Sequence, residues 1–229
     1  MTLTAIITGA SSGIGAAIAE KFAEEGINVV LAARNEEKLS ETAKTIQEKG
    51  NKNVLPVPTD VSKQADVEHL CEQAVNQFGE VDIYVNNAGA MLSAAVTDGE
   101  LTQWETMIDV NIKGVLYGLH QVLPDMIERK TGHIINIASV SGHEVTKKST
   151  VYSATKFAVR AISTGLEKEL AHTGVRMTNV SPGMVDTSLT NRADMNRKPL
   201  DAADIAEVIY DATQKPAHVN VNEITIRPV

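Results

Sequence analysis

The sequence predicts a doubly wound α/β fold, a parallel sheet covered by helices on both faces. Short apolar runs alternate with longer amphipathic segments along the whole chain, as expected of strands buried on both faces and joined by crossover helices. A glycine-rich segment, Thr8-Gly9-Ala10-Ser11-Ser12-Gly13-Ile14-Gly15, separates the first apolar run from the first helical pattern. No Pro/Ser/Gly-rich linker, charge block or internal repeat interrupts the alternation across 229 residues, 43% of them hydrophobic. One domain, 1–229, is therefore expected.

The first strand is expected over Leu3–Thr8, followed by a helix carrying Ile14, Ile18 and Phe22 at i, i+4 spacing. Asn28–Ala33 reads as the second strand, and Asn35 just after it as the cap of the next helix. Val54–Val57 and Ile83–Val85 follow as short apolar runs, then His133–Ile137, Val175–Ser181 and Glu223–Ile226. Between the third and fourth runs, Cys71 sits in a helical pattern as buried packing. It is the only cysteine, so no internal disulfide forms, in keeping with a reducing cytoplasm. His133, inside a strand pattern, reads as structural.

Composition narrows the partners. A net charge of −8 argues against nucleic acid and anionic membrane surfaces. No run approaches the roughly 20 apolar residues of a membrane span. The opening Met1-Thr2-Leu3-Thr4 lacks a charged n-region and an apolar h-region, so a cytoplasmic location is expected. No His/Cys/Asp/Glu set has metal-ligand spacing.

In such a sheet, ligands bind beyond the carboxyl ends of the strands. After the first strand, Gly9, Gly13 and Gly15 would let backbone N–H groups approach a pyrophosphate at the positive end of a helix, with Ser11 or Ser12 as cap and phosphate donor. A glycine-rich turn without a ligand has the same composition. Arg34 lies 19 residues past Gly15 (34 − 15), about where an acid would bind the ribose 2′-hydroxyl of NAD. A base there suits a 2′-phosphate, although Arg34 also reads as a solvated residue ahead of the Asn35 cap. Asp60, followed by Val61, either accepts from an adenine amino group or caps the helix after Ser62. Asn86-Asn87-Ala88-Gly89 lets backbone approach a sugar.

Ser139 ends the fifth strand, and Tyr152 and Lys156 share one face of a later helix. A phenol titrates near 10, so a Tyr acting as base near pH 7 needs about 4 kcal/mol of phenolate stabilisation. The Lys156 ammonium and an oxidised nicotinamide ring would supply it. Alone, Tyr-x-x-x-Lys is common surface decoration; it gains weight by following a Ser-bearing strand end in a chain with the glycine loop. His143, close after Ser139, is a candidate substrate contact. Ser141 is the rival to Ser139.

Thr8-Gly9-x-x-x-Gly13-x-Gly15, Asn86-Asn87-Ala88-Gly89, Asp109-Val110-Asn111, Ser139, Tyr152-x-x-x-Lys156 and Pro182-Gly183 occur in this order. Together they resemble the motifs of the short-chain dehydrogenase/reductase family, over essentially the whole chain. The resemblance implies a seven-stranded Rossmann-type sheet and a tetrad of Asn111, Ser139, Tyr152 and Lys156; the family's spacing of 13 residues before the Tyr favours Ser139 over Ser141. It also implies an Asn-held water relaying protons to the Lys, and Lys156 on the nicotinamide ribose. Val185 and Thr187, after Pro182-Gly183, would contact the carboxamide. The family's NADP users often carry a base where Arg34 stands; their second basic position is Ser12 here. The resemblance thus implies NADP(H) as cofactor, an alcohol/carbonyl substrate, a substrate-covering segment at about 184–200, and a homotetramer built on the long helices and the last strand.

Trp104-Glu105-Thr106-Met107-Ile108-Asp109, Gly132-His133-Ile134-Ile135-Asn136 and Pro216-Ala217-His218-Val219-Asn220-Val221-Asn222 look like the NADP-dependent 3-hydroxy acid and serine dehydrogenase branch. Two other classes remain in view. A non-catalytic dinucleotide-binding regulator would need the cradle without the tetrad. An epimerase or dehydratase on the same fold would need a larger C-terminal substrate region.

Overall fold

The structure is a computed structural model describing residues 2–92, 95–187 and 198–229. Seven strands are found where the apolar runs predict them: β1 (Thr4–Thr8), β2 (Asn28–Ala33), β3 (Val54–Pro58), β4 (Ile83–Asn86), β5 (Gly132–Ile137), β6 (Val175–Pro182) and β7 (Glu223–Ile226). All pairings are parallel, in the order β3-β2-β1-β4-β5-β6-β7. Several strands differ by a residue from the apolar runs because the ladder, not hydropathy, sets their ends. Pro58 pairs with Ala33, Asn86 with Asn136, Gly132 with Val175 and Pro182 with Ile226.

Helices α1 (Gly13–Glu24), α2 (Glu36–Glu48), α3 (Gln64–Phe78), α4 (Leu101–Ile108), α5 (Gly114–Arg129), α6 (Thr150–Glu169) and α7 (Ala202–Thr213) supply the layers. Strand alternation divides the core in two. Ala5, Ile7, Val29 and Leu31 face Ile18 and Phe22 of α1, Leu39 and Ile46 of α2, and Ile205 and Ile209 of α7. Ile6, Val30 and Ala32 face Leu70 and Cys71 of α3, Leu119 and Met126 of α5, and Val159 and Leu166 of α6. Cys71 is thus buried packing, as expected. Close packing is visible at Gly118, where a Cβ would stand 2.5 Å from Cε1 of Tyr84.

Asn35 caps α2 by accepting from the Lys38 N–H at 2.9 Å, with Glu36 and Glu37 in the first turn. Between α4 and α5 the chain winds as a π-helix over Asp109–Lys113. Strand order reverses at β1 and β4: successive crossovers run outward to β3 on one side and to β7 on the other. The loops after these two strands therefore diverge and open a crevice at the carboxyl end of the sheet.

Candidate active site

The two central loops are joined by one side chain. Thr8 Oγ1 donates to the Val85 carbonyl at 3.1 Å and accepts from the N–H groups of Asn87 and Ala88, each at 3.0 Å. Asn87 Nδ2 returns a bond to the Thr8 carbonyl at 2.8 Å. So tight a junction leaves no space for side chains. Gly9 adopts φ 68°, and a Cβ there would lie 2.9 Å from the Ala88 Cα; one on Gly15 would run into the Gly9 carbonyl. Ser12 occupies the N-cap of α1 without making a side-chain capping bond, and its hydroxyl has no hydrogen-bond partner among the described residues. The first intrahelical bond runs from Ala16 to Ser12 at 3.3 Å, so the Gly13, Ile14 and Gly15 N–H groups have no partner inside the helix. Ser11 is half-buried beside them. A cradle with glycine at positions 9, 13 and 15, open helix-terminal donors and two hydroxyls fit a pyrophosphate.

Around this cradle, Arg34 is exposed at the end of β2 and makes no hydrogen bond or ion pair among the described residues. The Ala10 N–H donates to the Ala32 carbonyl at 3.1 Å, holding the glycine loop beside that strand end. Asp60 Oδ1 accepts from the N–H and Oγ of Ser62, at 3.1 and 2.7 Å. Asp60 thus organises the turn ahead of α3, whose N-cap is Lys63; its Oδ2 makes no hydrogen bond among the described residues. The Val61 side chain packs where a Cβ on Gly114 would be 3.0 Å away. On the far side, the Gly183 N–H donates to the Ile226 carbonyl at 2.7 Å, fixing the turn after Pro182. Val185 is buried in the core, and Thr187 lies over the cradle, its Cγ2 3.1 Å from where a Gly13 Cβ would stand. Of the segment 184–200, residues 188–197 lie outside the described residues.

The reactive-looking side chains come from β5 and α6. Ser139 follows the end of β5 and caps a 3₁₀ turn over Val140–Gly142, its Oγ accepting from the Ser141 N–H at 3.1 Å. The Ser139 side chain also acts on the nearby Tyr152 phenol, drawing its pKa down. Lys156 is buried and donates to the Ile137 carbonyl at 2.8 Å; its Nζ is 6.0 Å from the Tyr152 ring centroid. Asn111, in the π-helix, accepts from the Ala90 N–H at 2.7 Å through Oδ1. Its Nδ2 donates to the Ala90 carbonyl and to Thr155 Oγ1, both at 2.9 Å. Gly89 lies beneath both groups: a Cβ there would be 3.5 Å from Asn111 Oδ1 and 3.7 Å from Lys156 Nζ. The sequence thus brings Asn111, Ser139, Tyr152 and Lys156 to one end of the sheet, beside the glycine cradle.

The electrostatics differ from the expectation in one respect. Burial pushes the Tyr152 phenol up, and neighbouring Ser139 pulls it only part of the way back. Within the protein alone it is not depressed toward neutrality, because the Lys156 ammonium is directed at the Ile137 carbonyl rather than at the phenol. Burial lowers Lys156 to about 8. His143, the candidate substrate contact, has Nε2 3.1 Å from Ser181 Oγ and 3.2 Å from Glu223 Oε1, so it is engaged with β6 and β7. His133 is buried with Nε2 2.8 Å from Thr178 Oγ1, a structural placement.

Sequence reasoning missed two polar residues of this region. Thr8 was visible only as the residue before the glycines, and Thr155 only as a spacer inside Tyr152-Ser153-Ala154-Thr155-Lys156. Among the described residues no cluster of three or more His, Cys, Asp or Glu could hold a metal ion, and no helix is long and apolar enough to cross a membrane.

Comparison with known proteins agrees with this geometry. The family model for short chain dehydrogenases matches residues 3–198. An uncharacterized oxidoreductase of Staphylococcus saprophyticus is 57% identical over 226 residues, 98% of this chain and 97% of the relative. A closed form of serine dehydrogenase complexed with NADP+ superposes with a TM-score of 0.90 at 34% identity, covering 97% of this chain and 94% of that one. An alcohol dehydrogenase from the archaeon Thermococcus sibiricus, complexed with 5-hydroxy-NADP, gives 0.91 at 30% identity, covering 100% and 97%. With the sheet order, the cradle and the grouping at the end of β5 in place, the chain belongs to the short-chain dehydrogenase family.

Proposed function

We propose that this chain is an NADP(H)-dependent oxidoreductase interconverting an alcohol and a carbonyl compound, with 3-hydroxy acids as one substrate class. The observation that carries the reading is the buried Lys156 ammonium, 6.0 Å from the Tyr152 ring centroid, at the same sheet end as Ser139 and the glycine cradle. Burying an ammonium is costly, and a protein that only bound a dinucleotide would have no use for one beside a phenol. The serine and alcohol dehydrogenases named above were solved with NADP+ and a NADP derivative, which supports the choice of cofactor.

On this reading Gly9, Ser11, Ser12, Gly13, Ile14 and Gly15 hold the pyrophosphate, and Arg34 meets the 2′-phosphate. Asp60 Oδ2 and the Val61 backbone border the adenine, and Asn87, Ala88 and Gly89 border its ribose. Pro182, Gly183, Val185 and Thr187 orient the nicotinamide end. NADPH, when bound, supplies the hydride. Tyr152, kept protonated by burial, gives its proton to the carbonyl oxygen, and Ser139 donates a hydrogen bond to that oxygen. The Lys156 ammonium then favours the phenolate left behind; with Lys156 near 8, that help fades in alkaline solution. The free protein is thus set for reduction, whereas alcohol oxidation starts from phenolate and needs the positive charge of the oxidised ring. The enzyme is proposed to act in the cytoplasm as a homotetramer.

The test is NADPH oxidation against a panel of ketones, aldehydes and 3-oxo acids, with wild type and Tyr152→Phe. The variant keeps the ring and loses the proton, so kcat should fall by about 10²–10⁴ while NADPH still binds. Retention of a third of wild-type turnover would remove Tyr152 from this role.

A further inference from the structure

Thr155 lies between the two reactive residues of α6 and is 1% exposed. Its hydroxyl donates to the Tyr152 carbonyl at 2.7 Å, the helix turn bearing the phenol. The same oxygen accepts from Asn111 Nδ2 at 2.9 Å. Asn111, also 1% exposed, uses its other amide hydrogen and its oxygen on the backbone of Ala90, at 2.9 and 2.7 Å. A single bonded chain thus runs from the Tyr152 turn through Thr155 and Asn111 to the loop after β4, where Gly89 lies under Lys156 Nζ. Among the described residues Thr155 Oγ1 is the one α6 group that hydrogen-bonds the Asn111 amide, and without it one N–H of that buried group loses its acceptor.

We infer that Thr155 is a positioning residue, which through Asn111 sets the loop after β4 against the Tyr152/Lys156 turn and so governs the chemical step rather than cofactor capture. The inference rests on the oxidoreductase reading above. Helix propensity does not account for Thr here, since a β-branched residue in mid-helix is mildly unfavourable. Nor does local capping account for it, because the bond to Tyr152 leaves the acceptor side of the hydroxyl free, and that side is where Asn111 binds.

The test compares Thr155→Val, which keeps shape and removes the hydroxyl, with Thr155→Ser, which keeps the hydroxyl and removes a methyl. In the Val variant the Ala90 amide should exchange with solvent faster, as its acceptor Asn111 loosens. Its kcat should fall by about 10–100-fold, with NADPH affinity by fluorescence titration within about threefold of wild type. Thr155→Ser should recover most of both effects. Tyr152→Phe runs alongside: if it stays active, or if wild type oxidises no NADPH, the oxidoreductase reading falls, and Ala90 exchange alone then decides whether the Thr155–Asn111 link holds the loop. If Tyr152→Phe is inactive but Thr155→Val keeps wild-type kcat, the positioning role is overturned. It is equally overturned if Ser is as impaired as Val, if the Ala90 amide is unaffected, or if the loss appears in NADPH affinity instead of kcat.

Discussion

Arg34 extends from the end of β2 without a protein partner among the described residues, so its guanidinium is available to whatever binds beside the glycine loop. If it grips a 2′-phosphate, its loss should weaken NADPH far more than NADH. A hydrogen bond to a charged group contributes about 1.5–3 kcal/mol, so Arg34→Ala should lower the ratio of kcat/KM for NADPH over NADH by roughly 10–150-fold. Lys38, or the open hydroxyls of Ser11 and Ser12, would push the change toward the lower end. The competing account stacks the guanidinium on the adenine common to both cofactors, which lowers both efficiencies together and leaves the ratio unchanged. At this scale the site was legible where chemistry is written in residue type: glycines that cannot become alanine, a Tyr and Lys one turn apart, a base after β2. It was not legible where a bond decides. Asp60 reads equally well as adenine acceptor or turn-former until Ser62 is seen on its Oδ1, and nothing in the letters of Thr155 reveals the Asn111 amide 44 positions away.

β5 and β6 carry a buried pair that should register in solution. His133 Nε2 faces Thr178 Oγ1, while Nδ1 has no partner among the described residues, and burial together with the Arg176 charge lowers the imidazole to about 3. The folded state therefore excludes a proton that the unfolded chain takes up near 6.5. Above that pH the group contributes nothing unfavourable; as pH falls from 6.5 toward 3, stability drops by about 1.4 kcal/mol per pH unit from this residue. Urea unfolding of wild type and His133→Gln between pH 7.5 and pH 4.5 tests this, because carboxylates common to both proteins cancel in the difference. Equal slopes for the two proteins would assign the acid sensitivity elsewhere. The same sheet shows why elements were easier to read than sites. The runs Ala5–Ile7, Val29–Ala32 and Ile83–Val85 are buried on both faces, so hydropathy alone marks them. The π-helix over Asp109–Lys113 left no trace, since its residues suit an ordinary helix. The polar ladder of Asn86, Asn136 and Ser163, bonded at 2.9 Å at each step, also lies inside strands and a helix that read as plain core.

At the scale of the whole molecule, the outer faces bear on assembly. β7 is an edge strand, paired with β6 alone among the described residues, and Ile108, Leu116 and Phe157 on α4, α5 and α6 are each at least 40% exposed. Burying such side chains and the sheet edge favours closed assembly. The proposed homotetramer predicts a light-scattering mass near four times 24.6 kDa at micromolar concentration, and a monomer would refute it. The sheet order has a further consequence, in the time domain. Strand β1, one of the pair at which the strand order reverses, is the earliest of the seven to be synthesised, and its neighbours β2 and β4 are complete by residue 86. A nascent chain that has released residue 89 therefore owns both loops of the cradle. Tyr152 and Lys156 emerge 63 and 67 residues later, roughly 3–13 s at ordinary translation rates. On the proposed function, the loops that hold the dinucleotide are therefore made well before the side chains that react.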